Sequence, residues 1–280
     1  MITTRGKYGV LVAVLLVGIA AAATRAAGQS ADKLTSSQAS ATVDQIIAQV
    51  IKHNDLRNAE LHTYSAVRTY VIRDTSGTVK ASKTVRMEYV APDTKTFESI
   101  SADGSVVVRD LVFDRLMETE AATAGAHDRH DTSITPANYT FQLLGQETIG
   151  AYHCYVVEAA PKREDKYLFH GQIWIDSTDF AVVKIAGHPA KRPSFWVTRA
   201  DFVRQFEKVG DFWLPSRDET SVDVRLYGTK ILSIEHRIDS VNGVTNARTN
   251  DNGVSGSATR KLAALEDANQ ALRAGKKQCK

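Results

Sequence analysis

The densest run of titratable side chains in this chain is His127-Asp128-Arg129-His130-Asp131, and a His-x-x-His pair with adjacent carboxylates is a donor set from which a metal site can be built. Stable metal sites need three or four ligands, each oriented by further hydrogen bonds. This run lies between Gly125 and Pro136, where a solvated loop is the expected conformation, so no metal is expected. Signatures of nucleophilic catalysis are missing: the sequence has no Gly-x-Ser-x-Gly elbow, no Cys in a catalytic context and no His-Glu-x-x-His pair. The 17 glycines fall singly at turns, so no loop is built to cradle phosphates and no nucleotide or other cofactor is expected. An enzyme is therefore not the expected reading. What remains is aromatic. Tyr64, Tyr70, Phe97, Trp174, Phe195, Trp196, Phe202, Phe206 and Trp213 fall in or beside strand-like segments, where most serve as core or cross-strand pairs.

Those aromatics sit on a regular series of elements. Between Gly145 and Pro215, six short apolar or β-branched runs are separated by turns: Gln146 to Thr148, Tyr152 to Ala159, Tyr167 to Ile175, Ala181 to Ile185, Phe202 to Val209 and Phe212 to Leu214. Gly150, Pro161 to Asp165, Asp176 to Asp179, Gly187 to Pro193 and Gly210-Asp211 supply the reversals. Strands joined by turns this short cannot run parallel, because a parallel crossover needs about a dozen residues. An antiparallel meander follows. Upstream, Leu61 to Arg73, Thr78 to Val90, Thr94 to Ser101 and Val106 to Asp110 are further strand candidates, with turns at Asp74 to Gly77 and Asp103-Gly104. The first two are long, and long twisted strands in sequence tend to coil into a curved sheet or partial barrel.

Two helices are expected. Asp44 to Leu61 carries Val43, Ile46, Ile47, Val50 and Ile51 on one stripe, with Thr42 or Asp44 to cap it. Leu111 to Ala126 carries Leu111, Phe113, Leu116 and Met117, with Gly125 to end it. Several strands are apolar on both sides: in Phe202 to Val209, Phe202, Arg204 and Phe206 share one face, and Val203, Gln205 and Val209 the other. Such strands suit helix packing on one side and a cavity or more protein on the other.

The ends of the chain read differently from its middle. Arg5 and Lys7 precede the apolar run Val10 to Ala23 and then small residues, so residues 1–28 are expected to be a cleaved signal peptide, too short for the roughly 20 residues of a membrane span. No Cys near the end of that run can accept a lipid, and no other window reaches span length, so an untethered periplasmic protein with no stable span after cleavage is expected. Residues 29–43 are expected to be a flexible lead, 44–243 one domain, and 244–280 a polar linker and a basic, weakly helical tail. Basic residues concentrate at the ends: residues 1–28 hold three and no acids, and 245–280 hold seven against three acids. Of the 35 basic and 32 acidic residues, 25 and 29 are left between 29 and 244, a net charge of −4, which argues against a nucleic-acid face. Of the two cysteines, Cys154 falls in a strand and Cys279 beside the C-terminus, and a buried thiol with a separate loose one is preferred over a bridge.

The wording of the strands goes beyond their periodicity. GQETIGAYHCYVVEAAP, YLFHGQIWIDSTDFAVVKI and DFVRQFEKVGDFWLP, with the earlier run Asn58 to Tyr70, resemble the bacterial outer-membrane lipoprotein-sorting proteins, the LolA-like superfamily, over roughly Asp44 to Val241. The nearest likeness is to its uncharacterised branch. That resemblance implies a mainly β fold with a few helices, in which a curved antiparallel sheet forms an incomplete, half-open barrel roofed by helices over an apolar cavity. It implies a carrier or binding protein for a lipid, lipoprotein or similar apolar ligand, with a lipid or acylated protein as partner. The alternative it implies is a regulatory domain of the same fold that contacts inner- or outer-membrane envelope proteins. In that frame Tyr70, Trp174, Phe202 and Phe206 are the candidates to line the cavity, because a curved sheet can turn them to one side. Phe195 and Trp196, in the Pro-bounded loop from His188, are candidates for its rim or for a partner contact. The helix from Leu111 is the candidate lid, and Arg68 the candidate for the family's lid-holding arginine.

Overall fold

The computed structural model describes residues 41–122, 133–165 and 167–246. The unit described below ends at Val244; a second unit begins at Thr245, and of it only Thr245 and Asn246 are described. Helix α1 (Val43–Glu60) begins at Thr42, whose hydroxyl accepts from the Gln45 N–H while the Gln45 side chain accepts from the Thr42 N–H. This reciprocal capping satisfies two of the donors that a helix start leaves open. The expected stripe is the buried one: Ile46, Ile47 and Val50 are inside, joined by Asn54 one turn on.

Among the described residues eleven strands follow: β1 (Thr63–Asp74), β2 (Val79–Val90), β3 (Thr94–Gly104), β4 (Tyr139–Ile149), β5 (Tyr152–Pro161), β6 (Phe169–Asp176), β7 (Val182–Pro189), β8 (Val197–Val209), β9 (Phe212–Val224), β10 (Gly228–Val241) and the two-residue β11 (Val244–Thr245). Each of the six meander runs is a strand, paired antiparallel with the next. The full order is β3-β2-β1-β10-β9-β8-β7-β6-β5-β4. The ends of that order, β3 and β4, do not meet, so the sheet is open and antiparallel throughout, as the resemblance implied.

Strands β4, expected as Gln146 to Thr148, and β9, expected as Phe212 to Leu214, are each longer than expected, and three further features differ from the sequence expectation. Val106 to Asp110 is not a strand: Gly104, at φ 78°, turns the chain, the Ser105 hydroxyl accepts from the Val108 N–H, and helix begins. The β preference of three valines yields to that cap and to the packing behind it. A short α2 (Val106–Val108) runs through a π-helical turn (Arg109–Asp114) into α3 (Arg115–Ala122); the expected stop at Gly125 lies outside the described residues, as do His127 and His130. Second, β10 was not expected at all, although Ile231, Leu232, Ile234 and Ile238 mark it. Third, Val203 and Gln205 of β8 are exposed, so that strand has one wet face along its middle, and a bulge between Gln205 and Phe206 shifts the alternation beyond it.

Register shows where the core lies. Cross-strand partners point to the same side of a sheet. Tyr70 is opposite Ile234, Ile234 opposite Asp218, Asp218 opposite Arg204, Arg204 opposite Ile185, Ile185 opposite Ile173, and Ile173 opposite Val157. This row of seven crosses from β1 to β5 on a single side, here called the inner face. Both helical segments cover that face. Helix α1 packs Ile46, Ile47 and Val50 against Val157, Ile173, Ile185 and Phe202. The α2 to α3 segment packs Phe113 and Met117 against Tyr70, Ile72, Ala81, Val85 and Leu232. Lys83 on β2 is paired in addition to Asp114.

Candidate functional site

Between these two apolar ends, the inner face carries charge. On β1 the inward positions read Tyr64, Ala66, Arg68, Tyr70 and Ile72, all buried. Arg68 interrupts an otherwise apolar row and lies opposite His236 on β10. Its guanidinium Nη1 donates to Glu120 Oε2 of α3 at 2.7 Å, and Lys95 Nζ of β3 donates to Glu120 Oε1 at 2.8 Å. One carboxylate of the roof is thus held by two cations of the sheet. On the other side, His236 Nε2 lies 2.9 Å from Asp218 Oδ2, and Arg204 Nε donates to Asp218 Oδ1. Arg68, Glu120, His236, Asp218 and Arg204 form a buried charged band from α3 across β1, β10, β9 and β8.

Burial and charge act against each other in this band. Burial alone pushes the Glu120 carboxyl up, but the Arg68 and Lys95 cations beside it more than offset this and hold it well below the usual carboxylate range. Asp218 behaves likewise: burial raises it, and Arg204 and the hydrogen bond from His236 bring it below the ordinary value. Burial, helped by the Arg68 charge and opposed by Asp218, lowers His236. Because an ionised carboxylate only accepts, neutral His236 must carry its proton on Nε2 and donate to Asp218. Burial pushes the Tyr70 hydroxyl up to about 12, so it stays protonated. Among the described residues, Arg68 Nε has no hydrogen-bond partner although it is buried. The band therefore contains fixed opposite charges in a largely buried setting, with Arg68 Nε left without a hydrogen-bond partner. Its chief mechanical consequence is to clamp α3 to the sheet through Glu120.

The four cavity candidates are not brought together. Tyr70 lies under the roof, its ring 5.7 Å from that of Phe113. Phe202 is on the inner face too, but in the core under α1, edge-on to Phe169 at 5.7 Å. Trp174 follows Ile173 and therefore points to the outer side, into a cluster with Cys154, Val156, Val183 and Trp213. Phe206, beyond the bulge and opposite Pro215, borders both that cluster and the core under α1. The outer tryptophans are each tied by polar contacts. Trp174 Nε1 donates to Glu147 at 2.7 Å with Lys184 Nζ 4.1 Å from its ring, and Trp213 Nε1 donates to Asp179 at 3.0 Å. Phe195 and Trp196 are exposed, edge to face at 5.6 Å.

Also on the outer side, an open cleft of about 400 Å³ is lined by Val67, Thr69, Ser216, Arg217 and Glu235 among others. Arg217 is paired there with Glu219 and Glu235, so the cleft has no strong charge bias. Among the described residues no three His, Cys, Asp or Glu side chains are placed to hold a metal ion, and no helix is long and apolar enough to cross a membrane. Glu120, Lys95, Asp218, His236 and Arg204 were missed by sequence reasoning. A charged or imidazole side chain at an inward position of an apolar strand, as in Ala66-x-Arg68-x-Tyr70 and Ile234-x-His236-x-Ile238, was the signal that could have found two of the band's members.

Comparison with known proteins gives three findings. A family model described as "-like: Uncharacterized protein" matches residues 113–232, from the π-helical turn into β10. No curated protein matches. Among solved structures, a DUF1329 family protein from Desulfovibrio piger is 13% identical, with 73% of this chain and 95% of that one covered and a TM-score of 0.37. A putative outer membrane lipoprotein-sorting protein domain from Vibrio parahaemolyticus is 8% identical, with 71% and 94% covered and a TM-score of 0.37. A LolA superfamily protein from Nitrosomonas europaea is 12% identical, with 70% and 92% covered and a TM-score of 0.35.

Proposed function

We propose that this LolA-like chain is an exported periplasmic carrier or binding protein that buries a lipid, the acyl chains of a lipoprotein or a similar apolar ligand beneath the α2 to α3 roof. The observation that carries the reading is the way the roof is held. Its apolar contact to the sheet is led by Phe113 and Met117, with partly buried Val108, Val112 and Leu116, and its directional ties are Glu120 between Arg68 and Lys95 and Asp114 with Lys83. A roof held by a polar clamp as much as by apolar contact can lift without unfolding the sheet, whose ladders do not depend on it. Lifting uncovers Tyr70, Ile72, Val85 and Leu232, the apolar floor on which an acyl chain would lie.

The energetics suit such a cargo. A 16-carbon chain gives up about 0.8 kcal/mol per methylene on leaving a bilayer, on the order of 12 kcal/mol. Apolar surface offsets that cost, and hydrogen bonds alone do not. The ligand site proposed here is the floor at Tyr70; Phe202, beyond the charged band in the core under α1, and Trp174 and Phe206, on or toward the outer side, are assigned to packing. No covalent step is part of this function.

The test is uptake of a fluorescent fatty acid by the mature protein, together with organic extraction and mass spectrometry of protein purified from its own periplasm. Tyr70→Ala is expected to weaken uptake at least tenfold with a near-native circular-dichroism spectrum, while Phe195→Ala leaves it unchanged. Reproducibly empty protein that also fails to bind the probe would overturn the carrier reading in favour of a partner-binding domain on the same fold.

A further inference from the structure

Two loops at one end of the sheet meet to form an exposed tip. The β7–β8 connection brings Phe195 and Trp196 to the surface, and the β9–β10 turn carries Arg225, Leu226 and Tyr227. They are joined directly: Val197 pairs with Val224, the Arg225 N–H donates to the Trp196 carbonyl at 2.9 Å, and the Arg225 guanidinium lies 4.5 Å from the Phe195 ring centre. At this tip Leu226 is 91% exposed, Phe195 72%, Tyr227 71% and Trp196 43%. Four large apolar side chains in open water are costly unless they have somewhere to go, and contiguous patches of this sort mark interaction sites.

Leu226 is held outward by its backbone. It sits at φ 68°, a conformation that branched side chains rarely adopt, and Gly228, two residues on, is at φ 67°. Nothing in the fold's core uses its side chain.

The charge around the tip indicates the partner. Lys191, Arg192 and Arg225 are exposed within the two loops, and Arg199 and Lys230 stand at the adjoining strand ends. Asp201 pairs with Arg199, and Asp223, which accepts from the Thr229 hydroxyl, keeps its charge, so the five cations exceed the two nearby acids. The domain as a whole is net acidic, so this concentration of cations is local. A Trp and a Tyr that suit the headgroup layer, a Leu and a Phe that can enter it, and a ring of Lys and Arg around them match the chemistry of an anionic lipid surface.

We infer that the tip formed by Phe195, Trp196 and Arg225 to Tyr227 docks the protein reversibly on an anionic membrane surface. The inference stands apart from the carrier reading, because it concerns an exposed surface and needs no cavity.

The experiment is co-sedimentation of the full mature chain with vesicles of phosphatidylethanolamine and phosphatidylglycerol, against vesicles of phosphatidylcholine alone. The wild type is expected to partition onto the anionic vesicles, with release by salt, and to show a blue-shifted tryptophan emission that Trp196→Phe removes, since Trp174 and Trp213 are already buried. Leu226→Asn with Tyr227→Ser, chosen because Asn accepts the left-handed backbone, is expected to lower the partition about tenfold or more. Equal binding by that variant would assign the effect to other basic segments and overturn the inference. Failure of the wild type to bind anionic vesicles would overturn it too, and would turn the same surface into a protein contact.

Discussion

Removing the Glu120 carboxylate should loosen the roof and leave the sheet nearly untouched. Glu120→Ala strips Arg68 and Lys95 of their shared partner, and Arg68 is only 3% exposed. Leaving a buried charge unpaired costs about 3–5 kcal/mol if nothing moves. The structure offers an escape, since lifting α3 would hydrate both cations. The price of that escape is the apolar contact of the roof, dominated by Phe113 and Met117, at about 1.5–3 kcal/mol each. The two terms are of similar size, so the closed and open roofs become close in free energy in the variant, whereas the closed form dominates in the wild type. Hydrogen–deuterium exchange resolved by peptide is the assay. Amides in residues 106–122 should exchange about 100-fold faster or more, at about 1.4 kcal/mol per tenfold, while those of β5 to β8 stay within a few-fold of wild type. Glu120→Gln, which keeps the shape but not the charge, should fall between. Unchanged exchange across the roof would refute the clamp, and uniform acceleration over all strands would show that Glu120 stabilises the whole fold instead of the roof.

Further predictions follow from the same geometry. His236 has a lowered pKa when folded, so its contribution is complete above the unfolded value near 6.5 and declines as pH falls below it. Wild-type stability in urea should therefore drop as pH falls below about 6.5, and His236→Gln should flatten that slope; an identical slope would exclude His236 as its source. Glu120 and Asp218 have depressed values when folded, so their share persists above the unfolded carboxylate range and is lost only as pH falls below it. Acid-induced opening of the roof, followed by exchange, is accordingly expected below about pH 4. In a Cys279→Ser background, Cys154 should resist a disulfide reagent until unfolding, because burial and the nearby Asp176 and Glu147 charges push its thiol up to about 11. Gly171→Ala should destabilise the sheet strongly, since a Cβ there would sit 2.1 Å from the Ala186 carbonyl oxygen, across from Gly187; a melting temperature within a degree or two of wild type would contradict the close approach.

The sequence was most readable where one local rule decided. The turns between β5 and β9 could be read from Gly, Asp and Pro, and the α1 stripe from its spacing, because turn geometry and helical period are set by near neighbours. Val106 to Asp110 was misread because its strand preference is local, whereas the Ser105 cap and the Phe113 anchor that override it act from outside the window. The charged band was harder still. Arg68, His236, Asp218 and Arg204 lie on four strands, and their meeting depends on β1 pairing with β10, a register that no short window contains. Trp174 was assigned inward with Phe202 although strand parity within β6 sets it opposite Ile173. Parity is visible in sequence, but which parity faces the helices is not.

The seam between β1 and β10 has a consequence for how the chain reaches its final state. Every other strand pair in the row joins neighbours along the chain, while this one joins Tyr64 to Val241 and is locked by Asn242, whose side chain accepts from the His62 and Thr63 N–H groups and donates to the Glu60 carbonyl. Pairings of such long sequence separation form late, because the loop must close before any contact compensates for it. A late seam can close out of step, and a slip of one residue would turn Arg68 outward and leave Glu120 and His236 facing Val67 or Thr69. The charged band spans that seam, so it penalises the wrong alignment far more than an apolar row would. The same side chains that clamp the roof thereby proofread the last joint of the sheet.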